Sequence, residues 1–488
     1  MSSSEADADV TPQSAIQEAP ESLWAALRQI GPGIILAGSI VGSGELIATT
    51  TLGADWGFTF LWLILLSCVI KVFVQVELGR YALSSGEPTL QFLNRLPGPR
   101  LGAHWTVWWW FLMLLGTVVQ LGAMVGLVGQ ALDMAFPGVS PALASLLGTS
   151  TGLGAYIQNN PANPWGVLTA FAAVALLLSG GYLMLERFTT ILVAGVTLVT
   201  VACVLALPWN NYPFEWDQIL AGLKFRLPTD PQTGRLSAAG LAKAFAVFGI
   251  TGVGAAELFA YPYWCLEKGY GRSVGPRSQD PAWARRANGW MRVMHLDAWV
   301  SCVVFTLATV SFYFLGARVL HALDLHPKGK DVIRTLAEMY EPTFGSWTKL
   351  VFLLGAWAVL FKTLYIASAG HARLTADFFQ LNRLVEYPHD AARARVVRGL
   401  CVFYPMLALF FFLVLGEPVA MVTFGGFVQG VTLPVISLAA VYLRYRRLDR
   451  RIAPSPLTDG LFLFAAIAMS LFALYAAYDF LSKTFGTA

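Results

Sequence analysis

The sequence predicts an all-α integral membrane protein of about eleven transmembrane helices, built as two inverted five-helix repeats plus one further helix. Three observations carry that reading: a composition too apolar for an aqueous globule, eleven apolar stretches of spanning length, and one motif that recurs five spans later. Of the 488 residues 56% are hydrophobic and only 13% charged, against roughly 25% charged in an ordinary soluble protein. A packed globule cannot hide so much apolar surface behind so thin a polar shell, so the excess must face lipid. The net charge of +4, with no basic stripe, gives no sign of a nucleic-acid partner. Cys68, Cys203, Cys265, Cys302 and Cys401 are scattered without disulfide or zinc spacing, and no cofactor is expected.

Residues 1–28 are rich in Ser, Ala, Asp, Glu and Pro and lack the basic start of a signal or transit peptide, so they read as a short disordered cytoplasmic tail. Stretches of about 20 apolar residues then fall at 31–54, 58–82, 104–133, 164–183, 188–208, 240–264, 291–316, 347–370, 396–415, 419–443 and 459–482, numbered here as spans 1 to 11. Pro97-Gly98-Pro99, Asn159-Asn160-Pro161 and Glu417-Pro418 punctuate the loops. With the N-terminus inside, the cytoplasmic segments hold 21 Lys and Arg and the outer ones 8. Dense clusters lie at Lys268 to Arg292, Arg373 to Arg398 and Arg444 to Arg451. Positive charge accumulates on the cytoplasmic side, so the chain is expected in the plasma (inner) membrane with its N-terminus cytoplasmic and its C-terminus outside. The expected units are 29–208, 209–445 (inverted) and 446–488 (span 11).

Val41-Gly-Ser-Gly-Glu-Leu-Ile-Ala48 in span 1 recurs as Val253-Gly-Ala-Ala-Glu-Leu-Phe-Ala260 in span 6. An odd number of spans per unit inverts the second copy, which is the arithmetic of an inverted repeat. Gly38, Gly42 and Gly44 weaken span 1, and Gly249, Gly252 and Gly254, followed by Pro262, weaken span 6. Breaks at matching places point to a substrate site near the midplane, because unwound backbone is tolerated only where it lines a cavity. The expected substrate-binding residues are Gly42, Ser43, Gly44 and Glu45 with Gly254, Ala255, Ala256 and Glu257. Two intramembrane carboxylates are costly, about 2.5–3.5 kcal/mol each on insertion scales, and so read as functional. With unwound carbonyls, Glu45 and Glu257 form a hard oxygen site suited to Mg²⁺, Ca²⁺ or Mn²⁺. The bland alternative is that each merely caps the amides of a half-helix. Lys71 in span 2 and Lys362 in span 8 are candidates to balance the two acids, and Gln75, Gln120 and Gln429 to line the cavity.

Gly31-Pro-Gly33, the broken span 1, Gln75-Val-Glu-Leu-Gly-Arg80, Ser85-Gly86 and Ala369-Gly370-His371 resemble the Nramp divalent-metal transporters over most of spans 1–10. The resemblance implies a LeuT-type fold and alternating-access transport. It also marks departures: the family's Asp-Pro-Gly-Asn stands as Gly42-Ser43-Gly44-Glu45, and its Met-Pro-His falls near Ala256-Glu257-Leu258. Its span 3 acids, implicated in the proton pathway, fall near Gln120 and Ala123. The pattern is similar to divergent branches that include magnesium transporters. Transport of a hard divalent cation, weak for transition metals and not strictly proton-driven, is therefore expected. If the lysines pair with the acids, the site instead suits a small anion such as bicarbonate. A non-transporting sensor is a third reading. An enzyme is not expected, since neither H-E-x-x-H nor a spaced Gly-x-Ser nucleophile motif occurs. Substrate ion and lipid are the only partners the sequence implies; it says nothing of oligomeric state.

Overall fold

The computed structural model of the protein describes residues 16–31, 40–42, 44–148, 152–179, 182–229, 236–341, 345 and 347–485. Among these, ten helices are long and apolar enough to cross a membrane, and they correspond to spans 2 to 11. Much of span 1, including Gly38 and Ser43, lies outside the described residues; its later part is a π-helical turn Gly44–Thr49 running into the helix Thr50–Trp56. The span cores fall where the apolar stretches do, but several helices outrun them. Span 7 begins at Pro281, and span 8 continues to Leu381. A helix satisfies its own backbone and need not stop at the lipid boundary. The start of span 7 is set by local chemistry: Asp280 caps it through Oδ1 to Ala282 N at 2.8 Å, with Pro281 at the first helical position. Part of the Lys268–Arg292 cluster is therefore helical and not loop. A two-residue antiparallel pair, Arg100–Leu101 with Ala103–His104, leads into span 3.

The helices sort into two groups. Span 2 (Leu61–Ser85) packs on span 7 and the second half of span 6, and span 7 on the described part of span 1. Span 3 (Trp105–Ala135) packs on spans 4 (Ala162–Ser179), 8 (Trp347–Leu381) and 9 (Asp390–Leu415). Span 5 (Tyr182–Ala206) bridges the groups by touching spans 7 and 8. Span 10 (Pro418–Arg446) does the same from the other repeat, touching spans 2 and 3. Exchanging each span for its partner five later maps one set of contacts onto the other, as a pseudo-twofold requires. Span 11 (Pro456–Phe485) packs outside this frame, on spans 2 and 10.

Of the expected disordered tail, residues 16–28 are laid along the surface instead. Gln17 N donates to Ser273 O, Trp290 Nε1 donates to Gln17 O, and Ser22 caps the short helix Leu23–Leu27. A polar composition argues against a private core, but not against docking onto one that already exists.

Small residues let the broken helices approach their neighbours. A Cβ on Gly249 would run into Gly426 O and Gly430 N of span 10, and one on Gly44 would sit 2.9 Å from Ile250 O. Overpacking of this kind costs about 1–3 kcal/mol, while an unhindered helical Gly→Ala gains up to about 1 kcal/mol. Gly249→Ala is therefore expected to lower the apparent melting temperature in detergent. Gly399→Ala, which meets nothing within 4 Å on span 9, should leave it unchanged or raise it. Equal behaviour of the two variants would show that the close approach carries no stability.

Candidate functional site

Span 6 is two helices, 6a (Ala238–Ile250) and 6b (Ala255–Glu267). Between them Thr251 and Gly254 are extended and Gly252 has φ +66°. Span 1 is interrupted at Val41 and Gly42, just before its π-helical turn. Both breaks therefore fall where the glycines of the repeated motif placed them. Gly252 could be nothing larger: its φ disfavours a side chain, and a Cβ there would meet the span 2 backbone at Cys68.

A broken helix in a dry interior must place its freed backbone groups. The carbonyl end of 6a is held by span 2. Lys71 Nζ donates to Phe248 O and, at 2.6 Å, to Thr251 O, and lies 4.8 Å from the centre of the Phe248 ring. Ser67 Oγ reaches the same two carbonyls at 3.3 and 3.1 Å. Among the described residues Lys71 forms no direct ion pair with either glutamate; its ammonium is held at the carbonyl end of a helix dipole, within electrostatic reach of both acids. Lys362 is buried in span 8.

The amide end is held by side chains of three helices. Glu45, fully buried, accepts from Gly252 N at 2.9 Å through Oε1, with Thr309 Oγ1 at 3.5 Å. Its Oε2 faces back to Gly42 N at 3.4 Å. One carboxylate therefore spans both breaks. Glu257 stands three residues after Gly254 as Glu45 does after Gly42, and its neighbours are the amides of Gly254 and of itself. The repeated G-x-x-E is thus half of a capping box, an acid folding back onto the amide three residues earlier. That signal is legible in the sequence and fits the bland alternative for Glu45. Gln429 Oε1 accepts from Ala256 N at 3.1 Å, and its Nε2 donates to Gln120 Oε1 at 3.0 Å, so spans 3 and 10 reach the same helix start.

Three oxygens converge on Gly254. The point where a Cβ on Gly254 would stand lies 2.5 Å from Glu257 Oε2, 2.6 Å from Gln429 Oε1 and 3.3 Å from Gly249 O. The three nearest atoms are all oxygens, drawn from 6b, span 10 and 6a, and they pack so closely on Gly254 that a Cβ there would overlap them. Glu257 is partly exposed where Glu45 is sealed. Ala255 is buried in the same turn. Gln75, one turn beyond Lys71, is fully buried, and among the described residues neither of its amide atoms has a hydrogen-bond partner; nor has Thr251 Oγ1. Residues that the sequence did not single out also gather here. Cys68 and Cys302 flank the break on spans 2 and 7, with Cys302 Sγ 3.8 Å from Cys68 O. Their place depends on helix packing, which no local motif encodes. Among the described residues, no group of three or more His, Cys, Asp or Glu is arranged to hold a metal ion.

The path is closed at both ends. Toward the end of span 1, Asp55 pairs with Lys243 of 6a and, at 2.8 Å, with His326, and the space bounded by Ile47, Val247 and Val422 shrinks to about 10 Å³. That holds about one water at most. Toward the chain's start, Gly31 N donates to the buried Asp297 at 2.9 Å. Tyr263 of 6b and Arg393 share Asp377, at 2.8 and 2.9 Å. Buried Glu77 and Arg80 with half-buried His295 form a chain joining spans 2 and 7, which gives the Gln75–Arg80 motif a place at this end.

A family model described as natural resistance-associated macrophage protein-like (Nramp) matches residues 33–479. An uncharacterized protein of Pasteurella multocida (strain Pm70) is 24% identical over 371 residues, 75% of this chain and 74% of its own length. Among solved structures, a mutant manganese transporter of Eremococcus coleocola aligns at TM-score 0.63 and 14% identity, covering 98% of this chain and 93% of that one. Mhp1, a nucleobase-cation-symport-1 family transporter, aligns at 0.54 and 13%, covering 93% of each. MhsT, in complex with L-phenylalanine, aligns at 0.50 and 15%, covering 95% and 99%. At such identities these structures show a shared fold, the LeuT type, and nothing of substrate.

Glu45→Gln keeps an oxygen for Gly252 N, whereas Glu45→Ala strands that amide in a dry site at about 1–3 kcal/mol. The alanine variant is expected to melt well below the glutamine variant in a detergent thermal-shift series. If the two melt together, the bond across the breaks contributes nothing to the fold.

Proposed function

The chain belongs to the Nramp family, and from that membership together with the oxygens over Gly254 we propose that it is a secondary transporter carrying a hard divalent cation of the Mg²⁺ kind. The observation that carries the reading is the convergence of a carboxylate, an amide oxygen and a backbone carbonyl on one glycine face. Hard oxygen donors suit Mg²⁺ and Ca²⁺; a soft thioether or imidazole is what a transition-metal site adds. Where the family has Met-Pro-His, this chain has Ala256-Glu257-Leu258. Mg²⁺ keeps much of its water and binds through one or two carboxylates, which suits a site where Glu257 is the accessible acid. In this reading Glu257, Gln429 and Gly249 O meet the ion, and Gln120 positions Gln429. Glu45 holds the two breaks in register and is not itself a ligand. Gln75 supplies a further polar wall.

What supports a cation over an anion is that Lys71 is engaged by carbonyls and the first amides of 6b by Gln429 and Glu257. Alternating access would release the Asp55 closure and the Asp297–Asp377 closure in turn. The distribution of Lys and Arg supports a cytoplasmic N-terminus and an external C-terminus. The manganese carried by the Eremococcus namesake is a direct rival, because that protein has the same fold.

Purified protein in liposomes should take up Mg²⁺ in preference to Mn²⁺ or Fe²⁺, and Glu257→Gln should cut that flux more than tenfold while leaving the melting temperature near wild type. Robust Mn²⁺ uptake saturating at low micromolar concentration, or an unaffected Glu257→Gln, would falsify the assignment. With Gln120 and Ala123 at the positions of the family's span 3 acids, substrate flux at zero membrane potential is expected without matched lumenal acidification of a trapped pH dye. Stoichiometric acidification that vanishes in Glu257→Gln would instead make that acid a proton carrier.

A further inference from the structure

At the end of the bundle that carries the arginine clusters, a groove of about 1240 Å³ opens between the first turns of span 7, residues 20–26 and the start of span 11. Arg285, Asn288, Arg292, Leu296 and Trp299 line it from a single face of span 7, at helical spacing. We propose that this groove binds the headgroup of an anionic phospholipid. The proposal is independent of the ion carried.

Charge is the first argument. Most arginines nearby are already committed. Arg277 and Arg451 are bound to Asp449, and the hydrogen bond from Arg451 chiefly holds that carboxyl well below the ordinary carboxylate range. Arg80 binds Glu77, and Arg286 lies 3.8 Å from Glu18. Arg285 and Arg292 are exposed, and among the described residues neither forms an ion pair; Glu21, an acid on the same wall, pairs with neither. They stand seven positions apart on one helix, about 10 Å along its axis, the width of a phosphate with its ester groups.

What distinguishes a lipid from a soluble phosphate is what lies above the arginines. The same face of span 7 continues through Trp299 to Val303 and Leu307, which are 67% and 47% exposed. The opposite lip carries Leu23, 64% exposed, and the next residue, Trp24, is 77% exposed, an apolar and aromatic pair of the kind found at a lipid boundary. Cationic head site below and apolar stripe above match an amphiphile end to end, and basic pockets between helices on the cytoplasmic side are where anionic headgroups dock. Such a lipid also braces residues 20–26, which run on to Gly31 and its bond to Asp297.

The test is native mass spectrometry of the full chain in detergent, titrated with phosphatidylglycerol, phosphatidylcholine or glycerol 3-phosphate. Wild type should retain phosphatidylglycerol in preference to phosphatidylcholine. Arg285→Gln/Arg292→Gln should weaken retention roughly tenfold to thirtyfold, while Arg395→Gln/Arg398→Gln, exposed on span 9, should not. All four side chains are exposed, so both variants should fold, and gel filtration checks this. Equal retention by the two double variants, or by wild type for both lipids, overturns the proposal. Displacement of the lipid by equimolar glycerol 3-phosphate overturns it in favour of a soluble anion.

Discussion

The bond from Gly252 N to Glu45 is the interaction on which the rest of the centre depends. It joins the break in span 6 to the acid at the break in span 1, and so ties the two halves of the chain where neither can satisfy its own backbone. A buried carboxylate would ordinarily be a burden. Here its two oxygens are met by backbone N–H groups, Gly252 N on one and Gly42 N on the other. The acid and the broken helix each supply hydrogen-bond partners that the other lacks.

The remainder of the centre follows from the same requirement. The carbonyls at the end of 6a meet an ammonium that donates to two of them, with Ser67 assisting. The amides at the start of 6b meet Gln429, steadied by Gln120, and Glu257. Spans 2, 3 and 10 are thereby drawn onto the break from three sides. The oxygens that cap these amides are the same ones that converge on Gly254.

The closures at the two ends differ in kind. At the Asp55 end a partly exposed lysine and histidine meet one carboxylate. At the other, buried chains built on Asp297, Asp377 and Arg80 tie spans 2, 6b, 7 and 8 together. Buried networks cost more to break than exposed pairs. In the transport cycle proposed here, the second closure is therefore the slower to release, and the segment from residue 16 to Gly31 lies directly on it.

The sequence by itself determined the solvent, the spans and the places where helices fail. Apolar length, glycine clustering and a motif repeated at odd span spacing are local properties, and the bilayer leaves the backbone few ways to answer them. It also contained the G-x-x-E caps, whose partners lie three residues away. It could not decide whom the charged groups would meet. Lys71 was open to a glutamate or to backbone, and only the approach of span 2 to the end of 6a selects the carbonyls. Glu45 and Glu257 are equivalent in the motif yet unequal in the fold, since one is sealed beneath the partner break and the other faces Gln429 across Gly254. The tail from residue 16 was legible as polar, but its docking on spans 6 and 7 depends on surfaces formed by residues far along the chain. Periodicity and backbone conformation are set by near neighbours; electrostatic partnership is set by whichever helix arrives closest, and tertiary packing alone decides that.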